Sequence, residues 1–382
     1  MVKTRVILLA ASVILAGGCS AFIRSEKANP DMLQVARGRL GGEVSLAQAG
    51  GSLVAVYSDR ETAGLYEVEI PVADRLPDQP PAAKLIDRID VGPPLAGTFG
   101  QHVLASNGTT VTVFYLARAA EDKMILKLAS HPVETQDWTL DTVEPAGTPL
   151  AVVPDQRGHL DLFWSAGSLL HVSYPGTGPV DSLASPFVPD GRAGAFFFTG
   201  ADNVAQGVTA FDSASGKLFL LTGNGSTYNA VTVDGAGPVQ SSLAVADGRA
   251  AVLTWIPSTR RVELLTLGQD ASVRSRTTVT ISAGTNEVQA LPFPGISQTD
   301  QEPRADRLLF LYDDARRLGG GRWHYEISLL APAGWGLAGR YRRVVLLTGA
   351  DPIESFSALE AGGRLYVLVK QDGVKLLSWK LP

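Results

Sequence analysis

From about Leu33 onward, runs rich in Val, Leu, Thr and aromatic side chains alternate with clusters of Gly, Pro, Asn and Asp. No amphipathic-helix period runs through them, and the pattern predicts many short strands in an all-β domain. The clearest unit is Leu308 to Leu330. Two strand-like runs there flank a charged, glycine-bearing tip, which predicts one long β-hairpin. The unit recurs at Leu53–Ile70, Val111–Ala129, His159–Tyr174, Val208–Leu221, Ala250–Leu267 and Arg364–Leu381.

The recurrence has a marker. The residue near the end of each hairpin's first strand is Tyr57, Tyr115, Trp164, Phe211, Trp255, Tyr312 and Val369, six of seven aromatic in a chain with 7% aromatics. Their spacings are 58, 49, 47, 44, 57 and 57 residues. A large ring at one layer of every repeat fills the wedge between neighbouring sheets. Between the hairpins lie turn clusters such as Asp90-Val91-Gly92-Pro93 and Glu144-Pro145-Ala146-Gly147, each followed and preceded by a short apolar run. Each repeat therefore holds four strands, which is what a β-propeller blade needs. Blades are expected to start near Leu40, Val91, Glu144, Val188, Ala236, Asn286 and Ala350. The seventh runs out of chain after three strands, and Leu33–Arg37 is placed to supply the fourth. The expected fold is an all-β propeller of seven four-stranded blades, closed by the N-terminal strand so that no sheet edge stays open.

Within this frame, Asn107-Gly108-Thr109 and Asn224-Gly225-Ser226 read as hairpin turns. Composition adds exclusions. The net charge is -5, so no basic excess suggests nucleic-acid binding. The 40 glycines and 23 prolines are spread as turns. One cysteine, Cys19, excludes a disulfide in the folded part.

Cys19 follows Lys3 and Arg5, an apolar run Val6–Leu15, and the small residues Ala16, Gly17 and Gly18. This resembles a bacterial lipoprotein signal with its lipobox. The resemblance implies cleavage before Cys19, lipid on Cys19 and, from Ser20, an outer-membrane lipoprotein facing the periplasm or the surface. The organisation expected is a signal peptide over 1–18, anchor and flexible tether over 19–32, and propeller over 33–382, with membrane contact through the lipid alone. Ser130–Tyr174 resembles the repeats of sialidase-like (BNR-type) propellers, with Asp137-Trp138-Thr139 approaching their Asp-box.

No nucleophile elbow, phosphate loop or zinc-protease motif is present. The histidines, His102, His131, His159, His171 and His324, are scattered and read as structural or surface residues, although His159 and His171 flank one hairpin at a spacing suited to paired strands. In a propeller the inter-blade connections and central hairpin tips emerge on one face. The connections carry Asp90, Glu144, Asp190, Asp234, Glu287 and Asp351, expected as an inner acidic ring. The tips add Asp59, Asp122, Asp212, Asp313 and Asp314, with Arg60, Arg118, Arg260, Arg261, Arg316 and Arg317 outside. Such a face suits a cationic partner or a divalent cation such as calcium, and each Asp alternatively forms its own turn. No other cofactor is expected. The functional expectation is a monomeric, non-enzymatic binding or scaffold protein for an envelope protein or polysaccharide. The alternative is a glycan-active or glycan-binding propeller of sialidase-like or lectin type.

Overall fold

The computed structural model describes residues 25–38, 40–89, 101–118, 123–135, 137–154, 159–175, 179–199, 204–223, 228–233, 235–245, 249–256, 261–268, 272–279, 281, 285, 287–292, 308–332 and 341–381. The strands form seven four-stranded antiparallel blades in a ring, a seven-bladed β-propeller. From the innermost strand outward, blade 1 is Leu40–Ala49, Ser52–Asp59, Gly64–Pro71 and Lys84–Arg88. Blade 2 is His102–Ser106, Thr110–Arg118, Met124–Pro132 and Thr139–Val143, and blade 3 is Thr148–Pro154, Leu160–Ser165, Leu169–Tyr174 and Asp181–Ala184. Blade 4 is Pro189–Thr199, Val204–Asp212, Lys217–Gly223 and Tyr228–Val233, and blade 5 is Val239–Val245, Arg249–Ile256, Arg261–Leu267 and Val273–Val279. Blade 6 is Val288–Pro292, Leu308–Arg317, Trp323–Pro332 and Tyr341–Gly349. Blade 7 takes Ser355–Ala361, Arg364–Lys370 and Val374–Lys380 from the C-terminal end and Asp31–Ala36 from the N-terminal end. Among the described residues no helix is long and apolar enough to cross a membrane.

The second strand of each blade reads as an almost continuous apolar run because both its faces are packed. Leu160–Ser165 is buried throughout. Successive side chains go to opposite seams, so Leu53, Ala55 and Tyr57 pack against blade 7 while Val54 and Val56 pack against blade 2. Seven separate apolar clusters result, one per seam. The aromatic marker obeys this alternation with one departure from expectation. Tyr57, Tyr115, Trp164 and Tyr312 face the preceding blade, whereas Phe211 and Trp255 face the following one. A shift of one residue along a strand reverses the face, so the rings share a layer but not a seam.

Innermost strands have one edge without a strand partner, and neighbouring side chains meet it. Ser355 and Ser357 Oγ accept the Val44 and Leu46 amides at 3.1 Å each. Gln289 bonds both the amide and the carbonyl of Ala358, at 2.9 and 3.0 Å. Gly191 and Val239 form a direct parallel bridge between blades 4 and 5. Connections are tight. A Cβ on Gly147, between blades 2 and 3, would lie 2.2 Å from the Ser165 carbonyl oxygen, so only glycine fits. Asn107 Oδ1 accepts the Thr109 and Thr110 amides at 3.0 and 2.8 Å, which makes the predicted hairpin turn, while Asn224–Ser226 lies outside the described residues.

The segment expected as a tether is partly strand. Ser25–Lys27 lies parallel to the outer strand of blade 6, with Ser25 opposite Arg343, and Asp31 and Met32 belong to the closing strand. An outermost strand leaves a row of backbone groups that a polar, non-periodic segment can pair as well as any other. The N-terminal strand closes the last blade as expected, over Asp31–Ala36, with Asp31 opposite Ser378 and Leu33 opposite Leu376. Leu33 and Val35 are 2% and 7% exposed. Burying two such side chains contributes about 3–6 kcal/mol. A chain lacking residues 1–30 is expected to melt close to the full chain. One lacking residues 1–39 is expected to melt clearly lower and to self-associate through the opened edge, as read by scanning calorimetry and light scattering. Equal melting of the two would contradict closure.

Candidate functional site

The central hairpin tips and inter-blade connections share one face, and hydrogen bonds join them. The Ile89 amide meets the Ala63 carbonyl, Ser213 meets Val188, and Glu354 meets Lys370, at 2.9, 2.9 and 3.0 Å. The tip acids act in this joint. Asp212 Oδ1 accepts the Val188 and Ala214 amides at 2.8 and 3.2 Å, and Oδ2 accepts Ser215 N at 3.1 Å and the Ser215 hydroxyl. Burial pushes the Asp212 carboxyl up, but these donors outweigh it and hold it below the ordinary value. Asp313 does the same in blade 6, accepting the Glu287 amide at 2.7 Å. Asp59 accepts the Glu61 amide at 2.8 Å. These carboxylates lock the start of a blade or its tip rather than line a ring.

Of the expected inner ring, Glu144 and Asp351 are exposed on their connections, Asp190 is exposed at the start of the innermost strand of blade 4, and Glu287 is half-buried. Asp90, Asp234, Asp122, Arg260 and Cys19 lie outside the described residues. Arg118, expected on the outer rim, is only 7% exposed because it ends a strand packed between two blades. His159 and His171 do not meet across the hairpin. His171 stands opposite Phe163 and bonds Asp161, whose second oxygen accepts the Tyr228 hydroxyl from blade 4 at 2.9 Å, while His159 is exposed.

Two of the four residues expected at the tip of blade 6, Asp314 and Arg316, come together with others there. Asp314, Arg316, His324 and Glu326 alternate onto the face of the hairpin that turns toward blade 5, and Arg343 joins them from the outer strand. Arg316 Nε donates to Asp314 Oδ2 at 2.7 Å and its Nη2 to Glu326 Oε1 at 3.2 Å. Arg343 Nη2 reaches Asp314 Oδ2 at 3.4 Å and Glu326 Oε1. The Asp314 side chain is fully buried and that of Glu326 nearly so, so the guanidinium of Arg343 compensates charges that water does not reach. Burial also raises the Tyr312 phenol beneath them, and the Arg343 charge opposes that rise.

This charged floor braces an exposed tip. Leu318 and Trp323 are 48% and 49% exposed, and Arg317 and Arg322 are exposed beside them. Trp323 stacks on Tyr325 at 6.2 Å and 24°. The turn closes by the Leu318 amide on the Arg322 carbonyl at 2.7 Å. Gly320 and Gly321 have φ of +75° and +77°, which glycine adopts without strain. The arrangement offers an apolar, cationic and aromatic contact surface held on a paired-strand stem. The sequence flagged Asp313 to Arg317. Arg343 and Glu326 sit in no motif that ties them to this group, which they reach only through strand pairing.

Comparison with known proteins places the fold. No known family's sequence profile matches the chain, and no curated protein matches it in sequence. Among solved structures, YCF48 bound to D1 peptide superposes with a TM-score of 0.52 over 94% of this chain and 98% of that one, at 9% identity. YCF48 from Cyanidioschyzon merolae gives 0.48 over 92% and 99%, at 12% identity. Trypanosoma rangeli sialidase in complex with a difluoro-nononic acid gives 0.45 over 93% and 58%, at 11% identity. At these identities the likeness is one of fold.

Two outcomes test the site's construction. Arg343→Ala strands two buried carboxylates and is expected to destabilise by about 3–5 kcal/mol, whereas Arg316→Ala, 46% exposed, costs at most about 1 kcal/mol in urea unfolding. Asp212→Asn is expected to lose about 1–2 kcal/mol at neutral pH. Because the native Asp212 pKa is below 3.8, that stabilisation is present above this value and disappears as pH falls through the lowered native one. The gap between variant and parent should therefore close in acid, read from melting midpoints across pH.

Proposed function

We propose that this chain is a lipid-anchored envelope protein that binds a partner protein without turning it over, using the tip of blade 6 as its main contact. The observation that carries this reading is a hairpin whose buried Asp314–Glu326–Arg316–Arg343 cluster fixes an exposed Leu318, Trp323, Arg317 and Arg322. Exposed aromatic and arginine side chains on a rigid support are what protein hot spots are made of. The partner's complement is an apolar pocket flanked by carboxylates. The fold likeness to YCF48, solved with a D1 peptide bound, supports a propeller that holds a peptide segment.

The anchor reading rests on Cys19 and the charged, apolar and small residues before it. It carries a geometric consequence. Ser25–Lys27 runs parallel to Tyr341–Gly349, toward the face of the connections and tips. Ser25 therefore stands at the strand end nearer the opposite face, six residues from Cys19 in sequence, and six residues of chain can reach at most about 20 Å. A lipid on Cys19 would hold the blade 6 rim close to the membrane with its hairpin tip directed away, toward a partner.

The stacked Trp323 and Tyr325 favour one second reading, a glycan platform, because sugar C–H faces pack on aromatic rings. Crosslinking and pull-down from intact envelopes, compared between the parent and Leu318→Ser/Trp323→Ala, test the choice. The double variant is expected to melt with the parent and to lose the captured protein. Unchanged capture would overturn the tip as contact, and glycan-array binding lost in the variant would favour the platform. Separately, Cys19→Ser is expected to accumulate precursor and take up no labelled fatty acid. An unlabelled parent would overturn the anchor.

A further inference from the structure

The seam between blades 1 and 2 buries a polar group remote in the fold from the blade 6 tip. Glu67 and Glu69 lie two apart on the third strand of blade 1, so both take the face that carries Leu65 into the seam. His131 comes from the third strand of blade 2, on the face of Ala129. The Glu67 and His131 side chains are fully buried, with His131 Nε2 at 3.0 Å from Glu67 Oε1. Trp138 Nε1 donates to Glu67 Oε2 at 3.2 Å, and the indole packs edge-on against the imidazole with centroids 4.3 Å apart. One donor atom from each of Glu67, Glu69 and His131 lies within 4.8 Å of the other two.

The hydrogen-bond chemistry of His131 is the informative part. Its Nδ1 lies 2.8 Å from the Pro132 carbonyl oxygen, which can only accept, so Nδ1 carries a proton. In a neutral ring Nε2 is then a bare lone pair, and it faces another acceptor, Glu67 Oε1. A positive centre has to lie between them, either a second proton or a metal ion. A proton offsets one carboxylate. Glu69 brings an oxygen within 4.8 Å of both partners, a third donor that a metal ion engages and a proton does not. A divalent ion offsets both carboxylates.

We propose that Glu67, Glu69 and His131 form a binding site for a divalent transition ion of the zinc class, which clamps blade 1 to blade 2. Zinc takes imidazole nitrogen at about 2.0–2.1 Å and carboxylate oxygen at about 2.0–2.2 Å, which sets tetrahedral donors about 3.3 Å apart. The 3.0 Å gap between His131 and Glu67 therefore needs to open by only a few tenths of an ångström. The Nδ1 contact with a backbone carbonyl and the Trp138 bond to Glu67 are the supporting hydrogen bonds that orient metal ligands. An imidazole among three ligands favours zinc over calcium, which takes six to eight oxygens. Glu69, half-buried where Glu67 and His131 are fully buried, is the ligand nearest solvent.

The test uses the full folded chain, stripped with chelator and titrated with Zn²⁺ by calorimetry and native mass spectrometry, then with Co²⁺ by absorption. One zinc per chain, a raised melting midpoint and cobalt ligand-field bands are expected. Glu69→Gln, at a half-buried position, should fold as the parent does and bind at least about tenfold more weakly, and Trp138→Phe about tenfold more weakly. Zinc binding that is absent, or equal in the parent and Glu69→Gln, would overturn the proposal and leave a proton as the positive centre. If His131→Gln does not fold, the Glu69→Gln comparison still decides.

Discussion

Everything in this fold depends on closing the ring with backbone hydrogen bonds between chain segments at opposite ends. Asp31–Ala36 pairs with Val374–Lys380 in one antiparallel ladder. Without it, blade 7 would present the outer edge of Val374–Lys380 and leave Leu33 and Val35 without the cover of their seam. With it, each blade is held on both sides, and no seam is a boundary of the molecule. The Arg364 guanidinium adds a polar tie across the same ladder, bonding Asp31 at 3.0 Å and Ser378 Oγ at 2.8 Å.

Closure explains why charge can be buried so often. A seam clamped from both sides excludes water, and an ion there persists only with partners at hand. The structure meets this in three ways. Asp212 is neutralised by backbone amides and a hydroxyl. Asp314 and Glu326 are met by arginines. Glu67 faces a histidine whose other nitrogen is already committed. The first two solutions are complete within the chain. The third needs a proton on the imidazole or, in the proposal above, a metal ion.

The two faces of the ring follow from the same topology. Tips and connections lie on one face, and the inner and outer turns lie on the other. The strand Ser25–Lys27 adds direction, because its parallel pairing with the outer strand of blade 6 runs it toward the tip face. The longest described hairpin and the strand Ser25–Lys27 thus belong to the same blade.

The sequence alone determined the blade strands, the repeat, the blade count and the closing strand, though not the added strand Ser25–Lys27, because each depends on local period and on turn residues that set φ or stop a ladder. Leu308–Arg317 and Trp323–Pro332 lie where their apolar alternation and glycine tip put them. Tertiary structure decided which seam each side chain enters. Phe211 and Trp255 look like Tyr57 and Tyr312 in sequence, yet a one-residue change of phase turns them to the other neighbour. Glu67 and Glu69 carry a faint signal, two acids at strand spacing. Their partner His131 is 64 residues from Glu67 in sequence, and a strand's period says which face a residue takes but not what the next blade places opposite it.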